Sequence, residues 1–157
     1  MSGAAIMVAV TVAAPPERAF ALFTDEVDVW WQRGPAYRFR RGNDGTMRFD
    51  PGPGGRLVEA YPDGTLFEVG HIRDWQPGRR LAFSWRNPHH SGDEETEVEI
   101  EFKAVPGGTR VVVRHSGWDR LNPGHPARHA LADVPLMRMM GDWWRGQLAA
   151  MAGRLPG

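Results

Sequence analysis

The chain has 157 residues, a length that suits one domain, and its 19 basic and 19 acidic side chains give a formal net charge of zero. Proteins that hold nucleic acid or an anionic membrane gain most of their affinity from a basic surplus, so neither partner is expected. The chain has no cysteine, no visible signal peptide and no apolar run of about 18 residues, which excludes thiolate chemistry and predicts one cytoplasmic domain over residues 1–157. The basic residues are arginine except for Lys103, a bias typical of a GC-rich bacterial genome.

The first part of the chain predicts one strand and two short helices. The β-branched run over residues 6–12 predicts a strand. Pro16 suits the first turn of a helix, where its missing N–H costs nothing, and the apolar residues that follow predict a helix over 16–24. A second short helix is predicted over 25–31, with Trp30 and Trp31 on its apolar side.

Strand patterns separated by Gly- and Pro-containing turns occupy the middle of the chain. They predict strands over residues 46–50, 54–61, 65–75, 80–86, 95–104 and 109–116. The clearest alternation puts Val98, Ile100 and Phe102 on one face and glutamates on the other. Because the connections are short, an antiparallel meander with one dry face is predicted.

The last segment supplies a cover for the dry face. Residues 136–155 show helical periodicity, and Pro135 is predicted to mark the start of this helix. Its wide apolar stripe comprises Leu136, Met139, Met140, Trp143, Trp144, Leu148, Met151 and Leu155. The predicted fold is therefore α+β of the helix-grip type: a curved antiparallel sheet of six or seven strands wraps the long C-terminal helix, with an apolar cavity between them.

Several short motifs occur in an order that resembles a known family. They lie at residues 14–20 (Ala-Pro-Pro-Glu-Arg-Ala-Phe), 29–31 (Val-Trp-Trp), 54–56, 70–72, 77–85, 97–102, 108–113 and 117–118. In this order the chain resembles the START-like (SRPBCC) superfamily and, within it, the family homologous to the C-terminal domain of the activator of heat-shock-protein-90 ATPase. The resemblance covers residues 6–155, and it implies a START-like helix-grip domain whose second helix and long helix border the cavity.

The aromatic content suggests a ligand site. Seven tryptophans could stack on a planar ligand, and a tryptophan N–H can orient a polar group, although core packing is the alternative for each of them. The methionines of the last helix, Met137, Met139, Met140 and Met151, suit an adaptable cavity or an ordinary core. The predicted ligand-binding residues are Trp30, Trp31, Phe67, Trp85, His115, Met140 and Trp143.

Among the six histidines, His115 is the candidate for chemistry. If Val111 and Val113 face inward, period two turns His115 inward as well. It would then be either a hydrogen-bonded core residue or a group that orients a ligand or moves a proton, with His71 as a weaker candidate. No convergent set of ligands is visible, so neither a metal nor a cofactor is expected.

Other polar features favour plain surface roles. The alternating glutamates at 95, 97, 99 and 101, with Glu94 before them, are predicted to face solvent. Arg38, Arg40 and Arg41 could grip an anionic ligand, but a solvated loop is the favoured interpretation. The Gly-rich stretch 51–55 opens a strand, whereas a phosphate loop must open a helix.

Three functions remain open. The leading hypothesis is binding of a small apolar or aromatic molecule in the cavity. The second is a cyclase- or hydratase-like enzyme that uses the same cavity, with His115 as general acid-base, although no nucleophile motif is visible. The third is a chaperone-associated partner-binding module anchored by residues such as Trp118, by analogy alone. The sequence is also compatible with a homodimer.

Overall fold

The computed structural model describes residues 5–31, 45–52, 54–85, 96–117 and 133–154. In chain order its elements are β1 (Ile6–Val12), α1 (Pro16–Thr24), α2 (Val27–Trp30), β2 (Thr46–Phe49), β3 (Arg56–Ala60), β4 (Leu66–Gln76), β5 (Arg80–Trp85), β6 (Thr96–Val105), β7 (Gly108–Ser116) and α3 (Asp133–Ala152). This order confirms the predicted succession of a strand, two short helices, further strands and a long closing helix.

The seven strands form one antiparallel sheet in the order β1-β7-β6-β5-β4-β3-β2, curled into a half-barrel. Strands β2 to β7 pair with their neighbours in sequence because the turns between them are short, and β1 closes against β7. With α3 beside it, this sheet confirms the predicted α+β helix-grip fold.

The concave face of the sheet carries the core. Residues directly opposite each other share a face, so Val98 of β6 faces the same way as Phe83 of β5 and His115 of β7. All three side chains are buried. On either side of Val98 in β6, Glu97 and Glu99 face outward. They lie near arginines of β4 and β5, which agrees with a solvated acidic face.

The helices cover the concave face from different sides. Helix α1 packs against β6 and β7, α2 packs against β2, and α3 lies against β1 and α2. The buried apolar side chains of α3 recur every three or four positions, as expected for one core-facing stripe; they are Leu136, Met140, Trp144, Leu148 and Met151. No helix in the described part of the chain is long and apolar enough to cross a membrane.

Two helix boundaries differ from the sequence-based prediction. Helix α3 begins at Asp133, so Pro135 lies within its first turn instead of marking its start. A proline is tolerated there because the N–H groups of the first turn have no partner inside the helix. Helix α2 covers only Val27–Trp30, and Trp31 follows in an extended conformation.

Candidate functional site

Four indole rings meet where α2, β5 and α3 approach one another. We refer to Trp31, Trp85, Trp143 and Trp144 as the tryptophan cluster. The ring centroid of Trp143 lies 5.0 Å from Trp144, 5.5 Å from Trp31 and 5.7 Å from Trp85. Trp31 lies 5.7 Å from Trp85, and each of these two rings lies 6.4 Å from Trp144. Every pair is therefore within the range of favourable aromatic contact.

The members of the cluster differ in exposure. Trp144 is fully buried, and Trp31 and Trp85 are each 6% exposed. Trp143 packs against the same core but remains partly exposed. Because the four rings pack on one another, no open cavity is described between them, and the cavity remains a prediction. Trp143 is the member of the cluster whose ring is partly accessible.

His115 links the sheet to α3 beneath the cluster. Its side chain is 0% exposed. The indole N–H of Trp144 donates to His115 Nδ1 over 3.1 Å, and His115 Nε2 lies 2.7 Å from the Thr96 hydroxyl. Thr96 Oγ1 in turn donates to the Trp85 carbonyl over 3.3 Å. Both ring nitrogens thus contact protein groups.

These contacts assign the tautomer of the neutral imidazole. A tryptophan N–H can only donate, so Nδ1 of His115 is the acceptor and the ring proton lies on Nε2. Nε2–H then donates to Thr96 Oγ1, whose own hydrogen points to the Trp85 carbonyl. The inward orientation predicted for His115 is confirmed, and the arrangement fits a hydrogen-bonded core residue better than a general acid-base.

Trp30 has a different environment from Trp31, although the two are adjacent. Its indole N–H donates to the Leu22 carbonyl over 2.8 Å, and its ring lies 5.1 Å from Phe23 of α1. The ring also contacts Trp31 at 5.8 Å. Trp30 therefore fastens α2 to α1 and supports the cluster from behind.

Phe67, a predicted ligand-binding residue, lies on the part of the sheet formed by β2, β3 and β4, away from the tryptophan cluster. Phe67 of β4 is partly buried and stands opposite Glu59 of β3, which stands opposite Met47 of β2. Glu59 is only 4% exposed, and the Tyr61 hydroxyl donates to its carboxylate over 2.7 Å. Among the described residues no ring contact joins Phe67 to the tryptophan cluster.

The remaining predicted residues separate into three groups. Met140 is 3% exposed in the buried stripe of α3, consistent with either of its predicted roles. His71 is exposed on the outer side and lies 2.7 Å from Glu68, so this weaker acid-base candidate does not face the interior. Arg38, Arg40, Arg41, Trp118, Glu94 and Glu95, together with His89, His90, His125 and His129, lie outside the described residues.

Sequence reasoning missed the buried polar partners of the interior. They include Glu59, Thr96 and Gln147, together with the indole N–H of Trp144. Alternation from Leu57 would have turned Glu59 toward the core, and alternation from Val98 would have done the same for Thr96. No local signal identifies Trp144 as the partner of His115, because the contact joins residues that are 29 positions apart.

The described residues contain no group of three or more histidine, aspartate or glutamate side chains that could hold a metal ion. A depression of about 460 Å³ lies at the opposite end of the sheet. Alanine, proline and glycine residues of the β1–α1 connection and the β6–β7 turn line it. It offers no charged side chain to a ligand, so the tryptophan cluster is the better candidate site.

Comparisons with known proteins agree on the fold. A protein of Rhodobacter sphaeroides is similar at 25% identity over 97% of this chain and 94% of that chain, with a TM-score of 0.58. A protein of Mesorhizobium loti is similar at 16% identity over 95% and 94%, with a TM-score of 0.65. The solution structure of the Aha1 dimer from Colwellia psychrerythraea is similar at 16% identity over 96% and 95%, with a TM-score of 0.60. No curated protein matches the sequence.

A family model decides the assignment. The model described as activator of Hsp90 ATPase homolog 1-like protein matches residues 13–131, which is most of the chain. This span includes α1, α2 and all strands from β2 to β7. The chain therefore belongs to the family of activator of Hsp90 ATPase homolog 1-like proteins, within the START-like fold.

Proposed function

We propose that this protein binds a small, flat, apolar molecule between its sheet and α3, against the tryptophan cluster. The observation that carries the proposal is the partly exposed ring of Trp143, which stands in contact with Trp31 and Trp85. An aromatic surface that remains accessible beside a buried aromatic core gains free energy when a flat ligand covers it.

The surroundings of the cluster support an apolar ligand over a charged one. Two buried polar side chains next to the cluster are His115 and Thr96, and each already has a protein partner. A charged ligand would lose its hydration without gaining an ion pair from these groups. The concave wall around them is formed by aliphatic and aromatic side chains.

Native mass spectrometry and tryptophan fluorescence quenching test this proposal. The probes are 2-ethylnaphthalene as a flat aromatic molecule and decanoate as a linear one. We expect 2-ethylnaphthalene to bind and Trp143→Ala to weaken its binding about two- to tenfold, the range of one aromatic contact. Trp75→Ala is the matched control, because Trp75 is also partly buried and lies 5.1 Å edge-on from Phe20, outside the cluster.

Two results would contradict the proposal. The first is that wild-type protein binds neither probe. The second is that the Trp75→Ala and Trp143→Ala variants lose affinity equally, since the binding would then not depend on the tryptophan cluster.

The enzymatic alternative receives less support from the same geometry. A general acid-base needs a nitrogen that can reach the substrate, yet both ring nitrogens of His115 contact protein groups. A chaperone-associated role rests on family analogy, and the residue predicted to anchor it, Trp118, lies outside the described residues.

A homodimer is a separate part of the proposal. Strand β1 is an edge of the sheet, and Met7 on it is 63% exposed. An exposed apolar side chain on an unpaired strand edge favours association with a second copy. Sedimentation equilibrium of wild type and Met7→Glu tests it: a dimer weakened by the substitution supports this interface, and a monomeric wild type contradicts it.

A further inference from the structure

The indole N–H of Trp31 differs from those of Trp30 and Trp144 in its hydrogen bonding. Trp30 donates its N–H to the Leu22 carbonyl, and Trp144 donates its N–H to His115 Nδ1. The backbone N–H of Trp31 bonds to the Val27 carbonyl, but its indole N–H has no acceptor within hydrogen-bond reach in the structure as described. The residue is only 6% exposed, so bulk water does not readily replace that acceptor.

A buried donor without an acceptor is costly, and native proteins almost always satisfy such groups with protein atoms, ordered water or a ligand. Four aromatic rings surround Trp31, those of Trp30, Trp85, Trp143 and Trp144. The indole nitrogen donates a hydrogen bond and does not accept one, so these rings offer no conventional acceptor. Among the residues that the structure describes, the aromatic neighbours of Trp31 therefore leave its N–H without an acceptor.

A single buried water is a poor candidate for this acceptor. An ordered water in a protein interior typically makes about three hydrogen bonds. His115 and Thr96, two buried polar side chains below the cluster, already bond to Trp144, to each other and to the Trp85 carbonyl. A ligand whose apolar body covers the rings and whose one acceptor atom meets Trp31 fits this environment better.

We infer that Trp31 is the polar contact of the ligand site and that the ligand is a flat apolar molecule bearing a hydrogen-bond acceptor, such as a ketone, ether or aromatic nitrogen. The inference rests on the proposed function and narrows it, because it separates acceptor-bearing ligands from hydrocarbons of the same shape. In this arrangement the ring of Trp143 contacts the ligand. Trp31 contacts it as well, and its N–H orients the ligand by donating to the acceptor atom.

The test compares 2-acetylnaphthalene with 2-ethylnaphthalene, which share ring system and size and differ in one carbonyl oxygen. We expect wild-type protein to bind the ketone more tightly, by roughly two- to tenfold, the range of one hydrogen bond. Trp31→Phe keeps an aromatic ring and removes the N–H, so it should abolish that preference while the hydrocarbon still binds. Trp75→Phe is the matched control and should keep the preference, because Trp75 packs edge-on against Phe20, outside the tryptophan cluster.

A second measurement does not depend on the folding of any variant. In a ¹⁵N–¹H spectrum of wild type labelled at the tryptophan indoles, the ketone should shift the Trp31 N–H signal downfield, and the hydrocarbon should not. Equal affinity for the two probes, or a ketone preference that survives Trp31→Phe, overturns the role of Trp31 while leaving apolar ligand binding intact. Absence of binding by both probes overturns the proposed function and this inference together.

Discussion

Trp144 of α3 and His115 of β7 are joined by a hydrogen bond of 3.1 Å between two side chains that are both 0% exposed. It is a polar link between the long helix and the sheet in a largely apolar interior. A buried hydrogen bond fixes direction as well as distance, so it sets how α3 is rotated over the concave face. That rotation in turn brings the neighbouring Trp143 into contact with Trp31 and Trp85.

Removing the donor of this link should destabilise the fold. Trp144→Phe keeps most of the aromatic volume but leaves His115 Nδ1 buried without its donor, and we expect a loss of about 1–3 kcal/mol in the free energy of unfolding. Urea denaturation followed by circular dichroism measures it. Trp143→Phe is the control and should cost less, because Trp143 is partly exposed. Equal losses in the two variants would contradict a special role for the Trp144 N–H.

The other nitrogen of His115 provides an independent prediction. Thr96→Val matches the shape of threonine but removes the hydroxyl that connects His115 Nε2 to the Trp85 carbonyl. We expect a loss of about 1–3 kcal/mol in unfolding free energy, since a donor and an acceptor are both left buried. Thr96→Ser keeps the hydroxyl and should lose less. A Thr96→Val variant as stable as wild type would show that the hydroxyl is dispensable.

Gly70 of β4 is predicted to be intolerant of any side chain. A Cβ atom there would lie 1.6 Å from the Ser84 carbonyl oxygen, so β4 and β5 would have to separate. We expect Gly70→Ala to cost about 3 kcal/mol or more in unfolding free energy. Gly64, in a turn at φ +89° with open space around it, is the comparison, and Gly64→Ala should cost about 1–2 kcal/mol from backbone strain alone. Thermal denaturation of both variants measures these losses. A larger loss of stability for Gly64→Ala than for Gly70→Ala would contradict the described close approach of β4 and β5.

Asp74 should make stability depend on pH in the acidic range. Hydrogen bonds from Gln76 and Arg80, with the positive charge of Arg80, hold the pKa of Asp74 below its ordinary value of 3.8. Because the pKa of Asp74 is lower in the folded state, its carboxylate contributes fully to stability above about pH 3.9, the pKa of an unfolded aspartate. This contribution is lost as the pH falls through the folded-state pKa. Asp74→Asn should therefore be less stable than wild type near neutral pH and equal to it in strong acid. A constant difference at all pH values, measured by urea denaturation, would argue against this assignment.

The sequence predicts the sheet well because its information is local. Period-two alternation along β6 identifies which face of Val98 and Ile100 is buried, and the same rule turns His115 inward. The rule is interrupted at β-bulges, where one extra residue reverses the alternation, and β4 has such an irregularity between Ile72 and Asp74. The strand order follows from the short turns.

The candidate site is less predictable because it is assembled from distant segments. Adjacent residues on a helix point about 100° apart, so periodicity places both Trp143 and Trp144 near the core without ranking them. Both rings contact Trp31 and Trp85, and in the folded chain Trp144 is buried whereas Trp143 is partly exposed. Those contacts depend on how α2 and α3 pack, which no single segment specifies.

The central claim is that a flat apolar molecule binds between the sheet and α3, against the tryptophan cluster. A crystal structure of the protein with 2-acetylnaphthalene tests it most directly. The account predicts the naphthalene ring in contact with Trp143 and the ketone oxygen within hydrogen-bond distance of Trp31 Nε1. A probe bound only at the outer surface, or a cluster whose rings remain packed on one another with no probe beside them, would contradict it.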